Sequence, residues 1–280
     1  MTGYSPLRYP GGKGRFSNDI AAVIASQGYR DVDYLEPYAG GAEIALHLLF
    51  TERVTRVFIN DYDPAIFAFW RSVVNQPERF CEAIESCELS TREWQKQKAT
   101  YVRKQPADEF DLGFAAFYLN RTNRSGIIAT AGPIGGHNQS GKWKIDARFN
   151  RESLSKKVER IARFKDRIIV TSMDGVDFLA ENAKADAGDQ FVYADPPYYG
   201  QGNRLYRSWL DDDGHKKIAA FFSALEDTTW LLSYDECPEI ARLYKGVPRK
   251  RIRLPYSANK TSLGRELLFH SPGIDLSVFG

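Results

Sequence analysis

One repeated grammar limits what this chain can become. A short β-branched or aromatic run stops at an acid, a proline or a glycine, and a helical pattern follows. DYLE (33–36) breaks at Pro37 into YAGGAEIALHLLF, which reads as a Gly-rich turn entering a helix. VTRVFI (54–59) ends at Asn60 and Asp61. RIIVT (167–171), QFVYA (190–194) and TWLLSY (229–234) repeat the pattern, with helices expected over 174–184, 214–226 and 236–244. Strands alternating with helices predict an α/β fold, a mostly parallel sheet with helices on both faces. In such sheets ligands bind beyond the carboxyl ends of the strands, where these acids sit.

One stretch breaks the grammar. From about 64 to 125 the pattern is helical, with aromatics in FAFW (67–70), a polar helix near 91–103 and an apolar one in LGFAAFYLNR. Residues 126–149, GIIATAGPIGGHNQSGKWKIDARF, then turn Gly-rich and irregular. The segment 64–149 is expected to be an inserted helical subdomain ending in a loop or hairpin, within a catalytic domain formed by 1–63 and 150–280. A loop this long inside a compact protein is usually functional or disordered. The chain is expected to rejoin the sheet through a helix at 150–164, N-capped by Asn150, with Leu154, Val158 and Ile161 on one face.

With 280 residues, 43% of them hydrophobic, the chain can bury a substantial core. A net charge of +2 permits nucleic-acid binding without arguing for it, so any basic surface must be local. Three cysteines, Cys81, Cys87 and Cys237, are too few and too irregular for a disulfide framework or a structural zinc site, and no metal is expected. The opening MTGYSPLRYPGGKGR lacks the apolar centre of a signal peptide, and no window is long and apolar enough to span a membrane. A cytoplasmic protein is expected; nothing in the pattern specifies an oligomeric state.

Two Gly-rich corners point to a ligand. In PYAGGAE (37–43) the pair Gly40 and Gly41, between strand and helix, lets backbone approach a ligand closely, although Gly-Gly also makes ordinary turns. Asp61, some 20 residues on at the end of the next strand, is placed to accept both ribose hydroxyls of a nucleoside cofactor. Its other reading is a cap for the helix starting at Pro64. RYPGGKG (8–14) lacks the spacing of a phosphate-binding loop, so Lys13 suits a carboxylate partner better than a triphosphate, or simply solvent.

FVYADPPYYG (191–200) is the most specific corner. A buried-looking run stops at Asp195, and Pro196 and Pro197 forbid it to continue. Prolines have a fixed φ and no N–H, so they present carbonyls in a rigid array. The exocyclic amine of a purine is a poor nucleophile, because its lone pair is delocalised into the ring. Asp195 and the Pro196 carbonyl, accepting its two N–H bonds, would draw the nitrogen towards tetrahedral geometry and free the lone pair to attack an electrophilic methyl. Tyr198 offers a ring on which a planar base can stack, and a target inside a duplex must first be swung out. The plain alternative is a strand-ending turn with an incidental acid.

In this order the motifs resemble those of the Dam-type (D12 class) DNA adenine-N6 methyltransferases. The resemblance covers most of the chain: YPGGK (9–13), EPYAGGAEIAL (36–46), FINDYDP (58–64), FYLNRTNRSGI (117–127), ADPPYY (194–199), LLSYDE (231–236) and GRELLF (264–269). It implies a Rossmann-like, S-adenosylmethionine-dependent methyltransferase fold with a target-recognition insertion. It further implies cofactor contacts from Tyr9 and Lys13, the latter towards the cofactor's carboxylate end. Glu36, Tyr38, Ala39, Gly40, Gly41, Asp61 and Asp195 complete the implied cofactor site, and Asp195, Pro196, Pro197 and Tyr198 the catalytic one. The stretch 126–149 differs from that of GATC-methylating relatives, so no GATC specificity is implied.

The expected partner is double-stranded DNA. Residues 142–167 hold ten Lys or Arg against four acids, whereas the whole chain carries only +2. Such a patch suits phosphates, though one solvated helix face would look the same. The candidates for DNA contact are Arg121, Asn123, Arg124, Ser125, His137, Asn138, Gln139, Lys142, Trp143 and Lys144. Asn and Gln can read adenine edges and Arg can read guanine. RKRIR (249–253) reads as a strand, or a charge-guarded edge. RNA adenine or cytosine-N4 methylation would use similar local chemistry. A catalytically weak binding relative is disfavoured by the intact Asp-Pro-Pro-Tyr, and a dinucleotide oxidoreductase by the missing Gly-x-Gly-x-x-Gly turn.

Overall fold

The computed structural model describes residues 3–8, 13–103, 108–184, 188–199, 210–256 and 262–279. It comprises two compact units, one of Met1–Gly12 with Asp63–Val170, the other of Lys13–Tyr62 with Thr171–Gly280. The division differs from the one expected at residues 149 and 150.

The sheet has seven strands: β1 (Asp33–Glu36), β2 (Arg56–Asn60), β3 (Ile168–Thr171), β4 (Gln190–Ala194), β5 (Thr229–Asp235), β6 (Arg249–Tyr256) and β7 (Ser262–His270). Their order is β3-β2-β1-β4-β5-β7-β6. β1 pairs in parallel with β2 and β4, and β4 with β5, while β7 runs antiparallel to both β5 and β6. The order reverses at β1, so the carboxyl ends of β1 and β4 lie side by side at a switch point, where open α/β sheets bind ligands. β1 and β4 are buried at every position, as strands covered on both faces must be.

Alternation along the strands sorts their side chains. Leu35, Val192, Leu232 and Phe269 join one core with Phe178 and Leu179 of α8 (Gly175–Asn182). Ile218 and Phe222 of α9 (Asp212–Ala224) and Ile240 of α10 (Pro238–Leu243) belong to the same core. The intervening positions face the other way, where the Tyr34 and Phe191 rings stack with centroids 6.5 Å apart. α2 (Glu43–Phe50) packs on β1 and β2, and α1 (Ser17–Ser26) packs on α2. β6, carrying RKRIR, is an edge strand, and its exposed Arg251 pairs with Glu236 at 2.5 Å, as a charge-guarded edge should.

The other unit is a helical bundle of α3 (Pro64–Asn75), α4 (Pro77–Ser86), α5 (Thr91–Val102), α6 (Glu109–Thr122) and α7 (Arg151–Ala162). Each start is signalled locally: Asp63 caps α3 with Pro64 at its first turn, α4 opens on Pro77, Ser90 caps α5, Asp108 caps α6 and Asn150 caps α7. Phe80 makes edge-on contacts with Phe69, Phe110, Phe114 and Phe117, at 5.2–5.8 Å between centroids. Gly113 lets α6 press against α3, since a Cβ there would meet the Ala68 carbonyl oxygen at 2.5 Å.

α7 returns the chain to the sheet as expected, with β3 starting at Ile168, while its apolar face packs among the helices. Its buried stripe of Leu154, Val158 and Ile161 packs on α4 and α3, and Arg151 donates to the Cys87 carbonyl at 2.7 Å. An apolar stripe specifies that a face is buried, not by which neighbour. Residues 126–149 form no strand; their only ladder contact among the described residues is a bridge between Asn123 and Pro133, so the segment is a folded loop. No helix among the described residues is long and apolar enough to cross a membrane.

Candidate active site

The site begins where β1, β2 and β3 end. Asn60, fully buried at the end of β2, donates to the Pro37 carbonyl at 2.9 Å and the Met173 carbonyl at 3.0 Å. Its Oδ1 accepts from the Thr171 hydroxyl and the Met173 N–H, each at 2.9 Å. One side chain thus ties three strand ends together. The backbone then turns through Gly40 (φ 48°) and Ala42 (φ 45°), left-handed conformations that glycine adopts freely, before α2 begins. Asp61, half-buried, accepts the Gly40 N–H on Oδ2 at 2.8 Å, so the expected acid and the Gly-rich turn do meet. Capping the next helix falls to Asp63, which removes the alternative reading of Asp61.

Glu36, at the end of β1, is buried, and its Oε2 has no hydrogen-bond partner among the described residues. Burial pushes its carboxyl well above the ordinary range, and the charges of Asp195, Glu43 and Asp61 add to the rise, against the Ala45 N–H. A buried oxygen without a partner is costly unless a ligand's donor meets it. Tyr38 lays its ring against Gly175, where a Cβ would come within 2.4 Å of the ring. Ala39 and Gly41 are buried in the same turn. Tyr62, beside Asp61, exposes its ring (62%), a neighbour that the sequence reading passed over.

β4 ends in the second corner. Asp195 Oδ1 accepts the Ser233 hydroxyl at 2.6 Å and the Lys13 ammonium at 3.2 Å, while Oδ2 has no protein partner among the described residues. The Asp195 side chain keeps 24% of its surface exposed, enough to be reached. Burial pushes its carboxyl upward, Lys13 pulls it down, Glu266 pushes it up again, and the Ser233 hydrogen bond lowers it. Behind Ser233 lies the buried Tyr193 hydroxyl at 3.0 Å, held neutral by burial, so a hydrogen-bonded chain runs into Oδ1. Pro196 is buried and Pro197 half-buried, and the Tyr199 N–H donates to Asp235 Oδ1 at 3.2 Å, pinning the far end of the turn.

Lys13 and Glu266 are buried here, and both reach Tyr198. The Lys13 ammonium lies 3.1 Å from Glu266 Oε1 and bonds the Tyr198 hydroxyl, which also donates to Glu266 Oε1 at 2.5 Å. The carboxylates that Lys13 meets are therefore those of Asp195 and Glu266. Tyr9 lies outside the described residues. Asn60, Ser233 and Glu266 were not picked out in the sequence: Ser233 and Glu266 sit inside apolar strand runs, and only their position beside the Asp195 corner marks them.

The expected DNA-contact residues fall into two groups. Arg124, Ser125, His137, Asn138, Lys142, Trp143 and Lys144 are exposed on or beside the loop, Trp143 to 65%. Arg121, Asn123 and Gln139 have their polar groups engaged within their own unit. Arg121 donates to the Arg148 carbonyl at 2.8 Å and the Pro6 carbonyl at 3.3 Å, and burial, with Arg8 and Arg148 nearby, pushes it down to about 10. Asn123, fully buried, accepts the Trp94 indole N–H at 2.6 Å and donates to the Ile127 and Ile128 carbonyls. Gln139, with φ 49°, bonds Ile134, Gly136 and Ile145 and shapes the loop from inside.

The chain is 22% identical over 266 residues to the Type II methyltransferase M.MjaIII of Methanocaldococcus jannaschii, covering 88% of this chain and 89% of that protein. Among solved structures it is similar to the rRNA methyltransferase aviRa of Streptomyces viridochromogenes, at 13% identity and a TM-score of 0.42, covering 94% of this chain and 86% of that one. A family model described as D12 class N6 adenine-specific DNA methyltransferase matches residues 9–257. With the sheet order and the corners at Gly40 and Asp195 in place, the chain has a Rossmann-like methyltransferase fold and belongs to the D12 class N6 adenine-specific DNA methyltransferase family.

Proposed function

We propose that the protein transfers a methyl group from S-adenosylmethionine to N6 of an adenine swung out of double-stranded DNA. The observation that carries this reading is the division of labour on Asp195: Oδ1 is held by Ser233 and Lys13, and Oδ2 has no protein partner among the described residues. Oδ2 and the Pro196 carbonyl accept the two N–H bonds of the amine and draw its lone pair out of the ring. When bound, S-adenosylmethionine supplies a methyl made electrophilic by its sulfonium. The new N–C bond would form as the methyl's bond to sulfur breaks, with S-adenosylhomocysteine as the leaving group, and the proton that the amine sheds would leave along the hydrogen bond to Asp195 Oδ2. The rate then depends chiefly on how well the corner is held.

The residues at the β1 and β2 ends fit the methyl donor. Asp61 offers a carboxylate for ribose hydroxyls, Tyr62 a free ring face, and Glu36 Oε2 a buried acceptor for a donor N–H. The loop of the helical unit offers groups suited to DNA. Trp143 and its neighbours Lys142 and Lys144 suit a base and phosphates, with Arg124, Ser125, His137 and Asn138 beside them. The exposed Lys156 and Arg160 of α7, and Arg163 just after it, extend the positive charge.

The test is incorporation of tritiated methyl into duplex DNA, followed by identification of the modified base. Wild type should yield N6-methyladenine, and Asp195→Ala should abolish it while leaving S-adenosylhomocysteine binding partly intact. Methylation by Asp195→Ala at the wild-type rate would remove Asp195 from the chemistry.

A further inference from the structure

Glu266 is a buried carboxylate to which the methyl-transfer chemistry above gives no task. It lies on β7 opposite Asp235 of β5 and Ile252 of β6, followed along the strand by the buried Leu267, Leu268 and Phe269. Its own exposure is 0%. Taking a carboxylate out of water is costly, and an apolar side chain of similar volume often serves stability as well or better. A charge kept here points to work on its neighbours. Those neighbours are two groups of the proposed catalytic corner, Lys13 and Tyr198, both bonded to the same oxygen, Oε1.

Building on the methyl-transfer reading, we propose that Glu266 is a positioning residue for this corner, fixing the Tyr198 ring through its hydroxyl and sharing the charge of Lys13 with Asp195. The geometry divides that charge evenly, since Lys13 lies 3.1 Å from Glu266 and 3.2 Å from Asp195. Lys13 paired with Asp195 alone would largely neutralise it and weaken Oδ2 as an acceptor for the amine. A second carboxylate on the far side of the ammonium keeps Asp195 an effective anion. Tied at its hydroxyl, Tyr198 also holds its ring in one orientation before any base arrives.

Among the described residues, Glu36 and Tyr34 on β1, Tyr193 on β4 and Tyr234 on β5 also feel the charge of Asp195. The three tyrosines are pushed well above their ordinary range by burial and stay neutral, and burial pushes Glu36 well above its range too. Glu266 raises the Asp195 carboxyl, so its neutralisation lowers it. The acid limb of the rate profile, where Asp195 becomes protonated and stops accepting, then moves to lower pH.

The experiment compares the full-length wild type, Glu266→Gln and Tyr198→Phe in single-turnover methylation of duplex DNA across pH. S-adenosylhomocysteine affinity and thermal melting are measured on the same preparations. Glu266→Gln should bind S-adenosylhomocysteine within about two-fold of wild type and lose about ten-fold or more in rate, with its acid limb displaced to lower pH. Tyr198→Phe should lose a comparable rate with the acid limb in place. The proposal is overturned if Glu266→Gln matches the wild-type rate, or if its rate falls only in step with folded protein and its acid limb stays put. If Glu266→Gln gives no folded protein, Tyr198→Phe decides, and a wild-type rate there overturns the proposal. Failure of the wild type to methylate DNA would contradict the methyl-transfer reading instead, so the two failures are told apart in one assay.

Discussion

The Ser233 hydroxyl donates to Asp195 Oδ1 at 2.6 Å, and the other carboxylate oxygen has no protein partner among the described residues. Ser233 thereby chooses which oxygen is offered to the substrate. Hydrogen bonds to a charged acceptor contribute about 1.5–3 kcal/mol. Ser233→Ala should therefore slow single-turnover methylation by about ten-fold or more, through a carboxylate free to rotate. Because this bond lowers the Asp195 carboxyl, its loss should move the acid limb to higher pH, opposite to the effect of Glu266→Gln. A limb that stays in place would show that Ser233 does not control Asp195.

Glu36 is raised well above its ordinary range in the folded chain. The folded state then binds its proton more tightly than the unfolded chain does. Its contribution is full below the ordinary glutamate range and is lost as pH rises towards the folded value. Glu36→Gln removes that loss. Its melting temperature relative to wild type should climb between about pH 5 and pH 9 in the absence of ligand. Binding of S-adenosylhomocysteine, followed by calorimetry, should weaken in the same variant. A melting difference that stays flat or falls with pH would contradict this account of Glu36.

A hydrogen bond from the Gly40 N–H to Asp61 Oδ2 joins the Gly40 turn to the end of β2. Asp61→Ala removes both that brace and the carboxylate offered to ribose hydroxyls. The dissociation constant for S-adenosylhomocysteine should rise by about ten-fold or more, in keeping with hydrogen bonds to a charged group. DNA affinity measured by fluorescence anisotropy should stay within about two-fold, since Asp61 is offered to the cofactor and not to the duplex. An unchanged cofactor titration would take Asp61 out of the site.

Asn123 and Trp143 separate the inside of the loop from its outside. Asn123→Ala strips a buried network reaching Trp94, Ile127 and Ile128, and should destabilise the protein by about 1–3 kcal/mol, read as a lower melting temperature. Trp143→Ala removes an exposed ring and should leave melting unchanged. It should weaken duplex binding by about 1–3 kcal/mol if the indole stacks on a base. The reverse pattern would exchange their roles.

Much of this fold could be read from its residues. β1 and β4 fall on DYLE and QFVYA because each is a short apolar run cut off by an acid or a proline, and Asn150 caps α7 as expected. The partner of a buried face was not legible: Leu154, Val158 and Ile161 announce burial but not that α4 and α3 provide it. Polar residues in the loop looked alike in sequence, yet Gln139 and Asn123 turn inward while Asn138 and Lys142 do not, a choice made by the backbone path. Glu266 was hidden for the opposite reason. A carboxylate within GRELLF reads as the outward position of an alternating strand, and only the arrival of Lys13 from the other end of the chain makes it an inward one.

The central claim, that Asp195 presents an extruded adenine's nitrogen for methylation, is tested most directly by modification-sensitive sequencing of DNA from cells expressing this chain or its Asp195→Ala variant. The account predicts N6-methyladenine at one short recurring sequence with the wild type and none with the variant. Methyl groups on cytosine, or the same adenine marks in both strains, would contradict it.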